Sequence, residues 1–182
     1  MRKQIAVFMV ALAAFICTAD VAPAAKSDKA DKTEKGGGTL AQGDKLFITN
    51  VAQMSMAEVK LSEAAADHAK SENVKTFAKQ MAEDHTKAND ELKKLAEDKG
   101  VQLGDDLKGA QKTKVERVSK LNGAAFDKEY LKAMVMDHTE SVKLFQAESD
   151  KGKDPAVKEW ASTMLPKMKE HLQMAKDAQK KL

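Results

Sequence analysis

The chain has 182 residues, of which 42% are hydrophobic, so it is long enough to form one domain with a substantial buried core. Its 31 basic and 28 acidic residues give a net charge of +3, with the two signs interspersed along the sequence. This balance excludes the one-sided basic face that nucleic-acid binding requires, and we expect no nucleic-acid partner.

The first residues have the layout of a secretory signal peptide. Two basic residues precede an apolar run over residues 5–16, and the small-residue sequence Ala22-Pro23-Ala24 follows. The run is shorter than the roughly 20 apolar residues of a membrane-spanning helix. We therefore predict a signal peptide over residues 1–24, export to the periplasm or outer membrane, and a mature protein without a transmembrane helix. Peripheral association with the envelope stays open.

A single cysteine and a charged linker follow the apolar run. Cys17 leaves a lipoprotein signal open, although Ile16 stands where lipid attachment requires a small residue. Signal cleavage would remove this cysteine, so packing rather than disulfides must stabilise the domain. Residues 25–39 are charged, contain a glycine run and lack large apolar side chains. They predict a flexible linker before a domain at 40–182.

Beyond the linker, apolar residues recur at helical spacing and no alternating strand pattern occurs. Ser71 and Asp154 are predicted N-caps, and Asp154 precedes a proline suited to the first helical position. A long connection at 101–122 separates the second and third long helices. The sequence predicts an all-α four-helix bundle whose helices cover about 40–69, 72–99, 124–150 and 155–180, with a short helix at 106–121.

Each long helix carries one ionisable residue in its predicted apolar seam. These residues are Glu58, His85, His138 and His171. With a rise of 1.5 Å per residue, their levels along the bundle agree within roughly 8 Å, so we expect them to converge near its middle.

Two of the histidines lie in the same short motif, Met-x-x-Asp-His-Thr, at residues 81–86 and 134–139. The motif delivers one imidazole from the second and one from the third long helix. Asp84 and Asp137 precede these histidines and are turned about 100° around the helix. We therefore interpret both aspartates as surface charges or outer contacts.

Four buried polar groups in one layer require mutual satisfaction or a shared ligand, because each unpaired group costs roughly 1 to 3 kcal/mol. Three imidazoles and a carboxylate form a donor set for zinc, iron, manganese or copper. We therefore predict one transition-metal ion bound by Glu58, His85, His138 and His171. A hydrogen-bonded core network without metal is the alternative.

Methionines surround these positions. Met54, Met81 and Met134 each lie four residues before a seam residue, and Met168 and Met174 lie three residues to either side of His171. Thioethers favour copper, Cu(I) especially, but methionine also fills irregular gaps in cores. The fourth histidine, at position 68, lies in the last turn of the first helix, where we expect a contact with the helix dipole.

Several motifs closely resemble an exported bacterial family known as domain of unknown function 4142. They are MAEVKLSEAA at 56–65, VKTFAKQMAEDHTKANDEL at 74–92, GAAFDKEYLKAMVMDHT at 123–139, GKDPAVK at 152–158 and LPKMKEHL at 165–172. The resemblance covers about residues 43–180. It implies a ferritin-like bundle with a long crossover before the third long helix, an outer-membrane or periplasmic location, and no established activity.

The sequence departs from ferritin-type di-iron proteins, which need a Glu-x-x-His motif on two helices. Ala82, Val135 and Met168 stand three residues before the three seam histidines. The leading hypothesis is an exported protein that binds one metal ion for storage, delivery or envelope stress protection. A mononuclear metal oxidase or hydrolase, and a non-catalytic envelope or stress module with a metal-free Glu/His network, are the alternatives. We assign no catalytic residue.

Overall fold

A computed structural model describes residues 40–182 of the chain as a helical bundle. The predicted signal peptide and linker lie outside these residues. Within the described part there is no β-sheet, only an isolated bridge between Ala69 and Gly123. The all-α prediction is confirmed. The helices are α1 (Gln42–His68), α2 (Glu72–Asp98), α3 (Gly109–Val118), α4 (Gly123–Lys151) and α5 (Pro155–Lys180).

Local sequence explains how α2 ends and α5 begins. Gly100 has a φ of 66°, and the backbone amide of Val101 donates to the Ala96 carbonyl at 2.8 Å, which closes the last turn of α2. The Asp154 carboxylate accepts hydrogen bonds from the amides of residues 156 and 157 and caps α5 as predicted. Ser71 occupies the N-cap position of α2, but its side chain makes no cap hydrogen bond.

The short helix is shorter than predicted, because the side chain of Gln53 holds the preceding loop. Its amide nitrogen donates to the Asp106 carbonyl at 3.0 Å, and its oxygen accepts from the Lys108 amide at 2.9 Å. This contact keeps residues 106–108 in an extended loop on α1. Helix α3 therefore starts at Gly109 rather than 106.

The two hairpins, α1–α2 and α4–α5, are each closed by a carboxylate from the other. Asp44 near the start of α1 accepts from the amides of residues 153 and 154 at 3.0 and 2.7 Å. Asp127 near the start of α4 accepts from the amides of Lys70 and Ser71, both at 3.0 Å. The start of α1 thus lies beside the α4–α5 turn, and the start of α4 beside the α1–α2 turn.

This arrangement fixes the path of the chain. Helix α2 ends beside the α4–α5 turn, where the Lys99 ammonium contacts Asp154 at 2.7 Å. The connection between α2 and α4 must therefore run the whole length of the bundle, and its helix α3 packs on α1 and α4. Helix α1 contacts α2 and α4, and α5 contacts α2 and α4, so every neighbouring pair of long helices is antiparallel. The predicted long crossover is confirmed.

Two apolar clusters fill the bundle, one toward each end. The first includes Leu61, Met81 and Met134, and the second includes Val51, Leu92 and Phe145. The predicted seam residues lie between these clusters along every long helix. Within residues 40–182, no helix is both long enough and apolar enough to cross a membrane.

Candidate metal centre

The four predicted seam residues meet between the two apolar clusters. Glu58 is 1% exposed, His85 3%, and His138 and His171 0%. The three imidazole rings form a nearly equilateral triangle, with centroid separations of 5.2 to 5.3 Å. A metal site needs several donor atoms close together. Three imidazole nitrogens, one from each histidine, lie within 4.8 Å of one another.

Helix α1 orients His85 through two polar side chains. The Nδ1 atom of His85 lies 3.1 Å from the Ser55 hydroxyl and 3.2 Å from the Glu58 carboxylate oxygen Oε2. Ser55 and Glu58 are three residues apart and so lie on the same face of α1. Both partners contact Nδ1, which leaves Nε2 of His85 directed at the other histidines.

The other two imidazoles are also held at one nitrogen. The Nδ1–H of His138 donates to the Met134 carbonyl at 2.9 Å, one turn back along α4, so its Nε2 carries the lone pair. The Nε2 atom of His171 lies 3.0 Å from the Asp84 carboxylate and donates to it. His171 Nδ1 is buried and has no hydrogen-bond partner among the described residues.

The three imidazole rings are therefore held in the same way. Each has an outer partner at one nitrogen and leaves the other nitrogen for the triangle: Nε2 of His85, Nε2 of His138 and Nδ1 of His171. Histidines that bind metals are commonly held in this way, because the outer hydrogen bond fixes the tautomer and ring orientation and makes the ligand nitrogen more basic.

The Nε2 atoms of His85 and His138 are 3.2 Å apart. Because His138 accepts at this atom, His85 must carry a proton on Nε2 when no ion is present, and its Nδ1 then accepts from the α1 side chains. Burial, and then the negative charge of Asp137, raise the pKa of Glu58 well above its ordinary value, so a protonated carboxyl suits this role. A metal-free hydrogen-bond chain from Glu58 through both imidazoles is thus complete.

Burial also keeps the imidazoles neutral. It is the main cause that lowers the pKa of His85 well below its ordinary value, with repulsion from the other two rings as a further cause. Burial lowers the pKa of His138 to about 4 and also lowers the pKa of His171. Neutral imidazole is the form that donates to a metal ion, so no ring has to lose a positive charge at neutral pH, and only the Nε2 proton of His85 has to leave the triangle.

Glu58 approaches from the outer side of the histidines. Its Oε2 contacts Nδ1 of His85, and its Oε1 lies 3.6 Å from Nδ1 of His138 without a hydrogen-bond partner among the described residues. Both contacts involve nitrogens that point away from the triangle. Glu58 lies in the central layer as predicted, but it contacts the outer nitrogens of the rings, whereas the imidazoles face one another.

The two aspartates of the repeated motif have different partners. Asp84, 25% exposed at its side chain, contacts His171 and lies 3.3 Å from the Lys167 ammonium. Asp137 pairs instead with Lys114 of α3 at 2.5 Å. Both are outer contacts, as the interpretation allowed, but the sequence reasoning did not identify Asp84 or Ser55 as partners of histidines. The contact of Asp84 with His171 could be found only by knowing that α2 and α5 are neighbours.

His68 lies outside the triangle. Its Nδ1 is 2.9 Å from the Leu121 carbonyl and 3.0 Å from the Asn122 side-chain oxygen, and its ring stacks on Phe126. This histidine fastens the end of α1 to the start of α4, a structural contact distinct from the predicted metal site.

Solved structures share this fold. A DUF305 fragment from Deinococcus radiodurans is 13% identical, with a TM-score of 0.69 over 80% of this chain and 100% of its own. A protein from Streptomyces coelicolor, described as "putative secreted protein DUF305", is 15% identical, with a TM-score of 0.63 over 74% of this chain and 89% of its own. At these identities the likeness concerns the fold alone.

Comparison of the sequence with curated proteins found no match. The family model described as "Domain of unknown function (DUF4142)" matches residues 29–178, which is most of the chain. The resemblance of the helical motifs is thereby confirmed, and the chain belongs to the DUF4142 family.

Proposed function

We propose that this chain is an exported metal-binding protein that holds one transition-metal ion through His85, His138 and His171. The observation that carries the proposal is the triangle of three buried, neutral imidazoles, each held at one nitrogen by an outer partner and directed at the other two rings through its second nitrogen. In the metal-free chain the triangle contains one hydrogen bond, between His85 and His138, and the buried Nδ1 of His171 has no partner among the described residues, so an ion at the centre would give that nitrogen a partner.

Glu58 is assigned the role of orienting His85. For an ion to bind at His85 Nε2, that atom would have to lose the proton that it donates to His138, and Nδ1 would then carry the ring proton and donate to Glu58, which would have to be ionised. Binding therefore releases the carboxyl proton of Glu58, and the resulting negative charge offsets part of the charge of the ion. A role for Glu58 as a fourth ligand, as its position in the sequence predicts, requires its side chain to move to the inner side of the rings.

Three imidazoles suit zinc, copper or iron, and manganese is the least favoured of the four predicted metals because it prefers oxygen ligands. The absence of a carboxylate at the inner side of the triangle disfavours calcium and magnesium for the same reason. The chemistry of the described donors thus narrows the class of ion to borderline and soft transition metals.

Export of the protein is supported by two features. The segment 1–24 has the layout of a signal peptide, and the Streptomyces neighbour with this fold is described as secreted. We assign residues 25–39 to a linker and 40–182 to the metal-binding bundle. Storage, delivery or protection of the envelope against excess metal are functions that a non-catalytic, tightly enclosed site serves.

The metal-free network is a second candidate, and the complete hydrogen-bond chain from Glu58 through His85 to His138 favours it. In that case the polar layer sets the register of the four helices, as a buried polar residue does in coiled coils. An oxidase or hydrolase is disfavoured, because the four residues are at most 3% exposed and a substrate must reach an open coordination position.

Metal analysis separates these candidates. The exported protein is purified, loaded separately with zinc, copper, iron and manganese, and its metal content is measured by mass spectrometry. We expect about one ion per chain in the wild type and in the control His68→Ala, and no stoichiometric metal in His85→Ala or His138→Ala. Wild-type protein that takes up none of the four metals under any loading condition would contradict the proposal and favour the network.

A further inference from the structure

A narrow cavity adjoins the histidine triangle on the side of the second apolar cluster. Its volume is about 10 Å³, about the room for one water molecule. Glu58 and His85 line it, and so do three methionines, Met54, Met164 and Met168. The cavity therefore connects the candidate metal site with sulfur donors that the proposed function does not use.

The lining residues of the cavity range from half-buried to buried. Asn89, Trp160 and Met164 are half-buried and form the outer part, whereas Met168 and Met54 are buried. Met164, Met168 and His171 are spaced four and three residues apart on α5, so they lie along one face of that helix. Thioethers thus line this cavity from its half-buried rim to the side formed by His85.

The rest of the wall is unsuited to a hydrated divalent ion. Val51, Leu92 and Phe145 contribute apolar surface, and the cavity is too narrow for an ion with its water shell. An ion that passes must shed water and needs replacement ligands that tolerate an apolar setting. Methionine sulfur supplies such ligands for soft ions, Cu(I) above all, and binds hard ions poorly.

A positive charge lies beside His171, on the side of the triangle that Asp84 covers. On that side Asp84 covers His171, and the Lys167 ammonium lies 3.3 Å from Asp84 and 3.4 Å from Glu170. Two carboxylates hold the Lys167 ammonium beside His171, so a cation that approaches from this side meets a fixed positive charge. The path lined by methionines contains no cationic side chain among its described lining residues.

We propose that the site is selective for Cu(I), and that Met164, Met168 and Met54 transfer the ion from the surface to His85. This inference rests on the proposed function, since it needs the histidines to bind a metal ion. It assigns the methionines a role as transient ligands rather than as fillers of an irregular core. No change of oxidation state is involved, because the ion enters and is bound as Cu(I).

The test compares Cu(I) with Zn²⁺ in the full exported protein. Met164→Leu/Met168→Leu conserves side-chain volume and removes two thioethers. Met136→Leu is the matched control, because Met136 is 62% exposed on α4 and lies outside the cavity lining. Trp160 is the only tryptophan and lines the path, so its fluorescence reports uptake in stopped-flow mixing. Cu(I) is supplied with ascorbate and a Cu(I) chelator under anaerobic conditions.

We expect Cu(I) uptake to slow by about tenfold in the double variant with the final Cu(I) stoichiometry unchanged, while Zn²⁺ uptake and the Met136→Leu control stay near wild type. Equal slowing of uptake for both ions, or no slowing for Cu(I), would overturn the inference and leave the methionines as core packing. Wild-type protein that binds neither ion would instead overturn the proposed function. If the double variant fails to fold, Met164→Leu alone at the half-buried rim provides the same comparison.

Discussion

The two aspartates of the repeated Met-x-x-Asp-His-Thr motif permit a matched comparison. Asp84 accepts a hydrogen bond from His171 Nε2 at 3.0 Å, whereas Asp137 pairs with Lys114 and contacts none of the imidazoles. Replacement by asparagine removes one negative charge in either variant and conserves side-chain shape. Only Asp84→Asn weakens a partner of a proposed metal ligand.

The expected loss follows from this contact. Removing the outer partner of a metal-binding histidine typically lowers metal affinity 10- to 100-fold. The side chain of Asp84 is 25% exposed and shared with Lys167, so solvent screens part of its charge. Asparagine can also still accept a hydrogen bond through its oxygen. We therefore expect the lower limit, about tenfold, which corresponds to about 1.4 kcal/mol.

Affinities are measured by competition between each variant and a chromophoric chelator for Zn²⁺ or Co²⁺. Denaturant unfolding of the metal-free variants checks that both remain folded. Asp137 influences the site through its charge near Glu58, and we expect Asp137→Asn to change affinity less than about threefold. Equal affinities for wild type and Asp84→Asn, or a larger loss in Asp137→Asn, would refute the assignment of Asp84 as the partner that orients His171.

Three further predictions concern ionisation, turns and tautomers. Burial and neighbouring carboxylates raise the pKa of Glu148 from 4.5 to about 7, so between these pH values the folded chain keeps a proton that the unfolded chain has lost, and stability falls with rising pH until the folded carboxyl also ionises. Glu148→Gln should add about 1 kcal/mol to the free energy of unfolding near pH 8 and nothing near pH 4, and equal effects at both would contradict this. Asp127→Ala removes the acceptor of two backbone amides at the α1–α2 turn and should lower the free energy of unfolding by about 2 kcal/mol in denaturant titrations. A change near zero would show that these two hydrogen bonds do not stabilise the turn. In ¹⁵N NMR spectra of the zinc-loaded protein, His85 and His138 should bind through Nε2 and His171 through Nδ1. Three identical tautomers would contradict the assignment of these ligand nitrogens from the outer hydrogen bonds.

Helical periodicity was sufficient to predict which residues enter the central layer. Glu58 and the three histidines each occur in an apolar seam, and burial of that seam places them inside once the helices pack. The long crossover was predictable because the family resemblance and the helix-breaking glycines Gly100 and Gly123 both indicated a long connection between the second and third long helices. The prediction of the metal itself stays a prediction.

The contacts that orient the rings could not be predicted from one helix at a time. Asp84 meets His171 only because α2 and α5 are neighbours, and their order around the bundle is not encoded in the period of either helix. Ser71 illustrates the same limit, because a favourable N-cap residue stands at the start of α2 while Asp127 of another helix accepts its backbone amide. Cross-helix pairing decided both outcomes.

The three imidazoles come from both hairpins, and this affects how long the protein would persist if it binds the proposed ion. An ion held jointly by α2, α4 and α5 ties the two halves of the bundle at mid-height, while Asp44 and Asp127 tie them at the ends. Ligand that binds only the folded chain adds to its stability by mass action. Proteases would then cleave metal-free chains faster than loaded ones, so the abundance of the protein would follow the supply of the proposed ion.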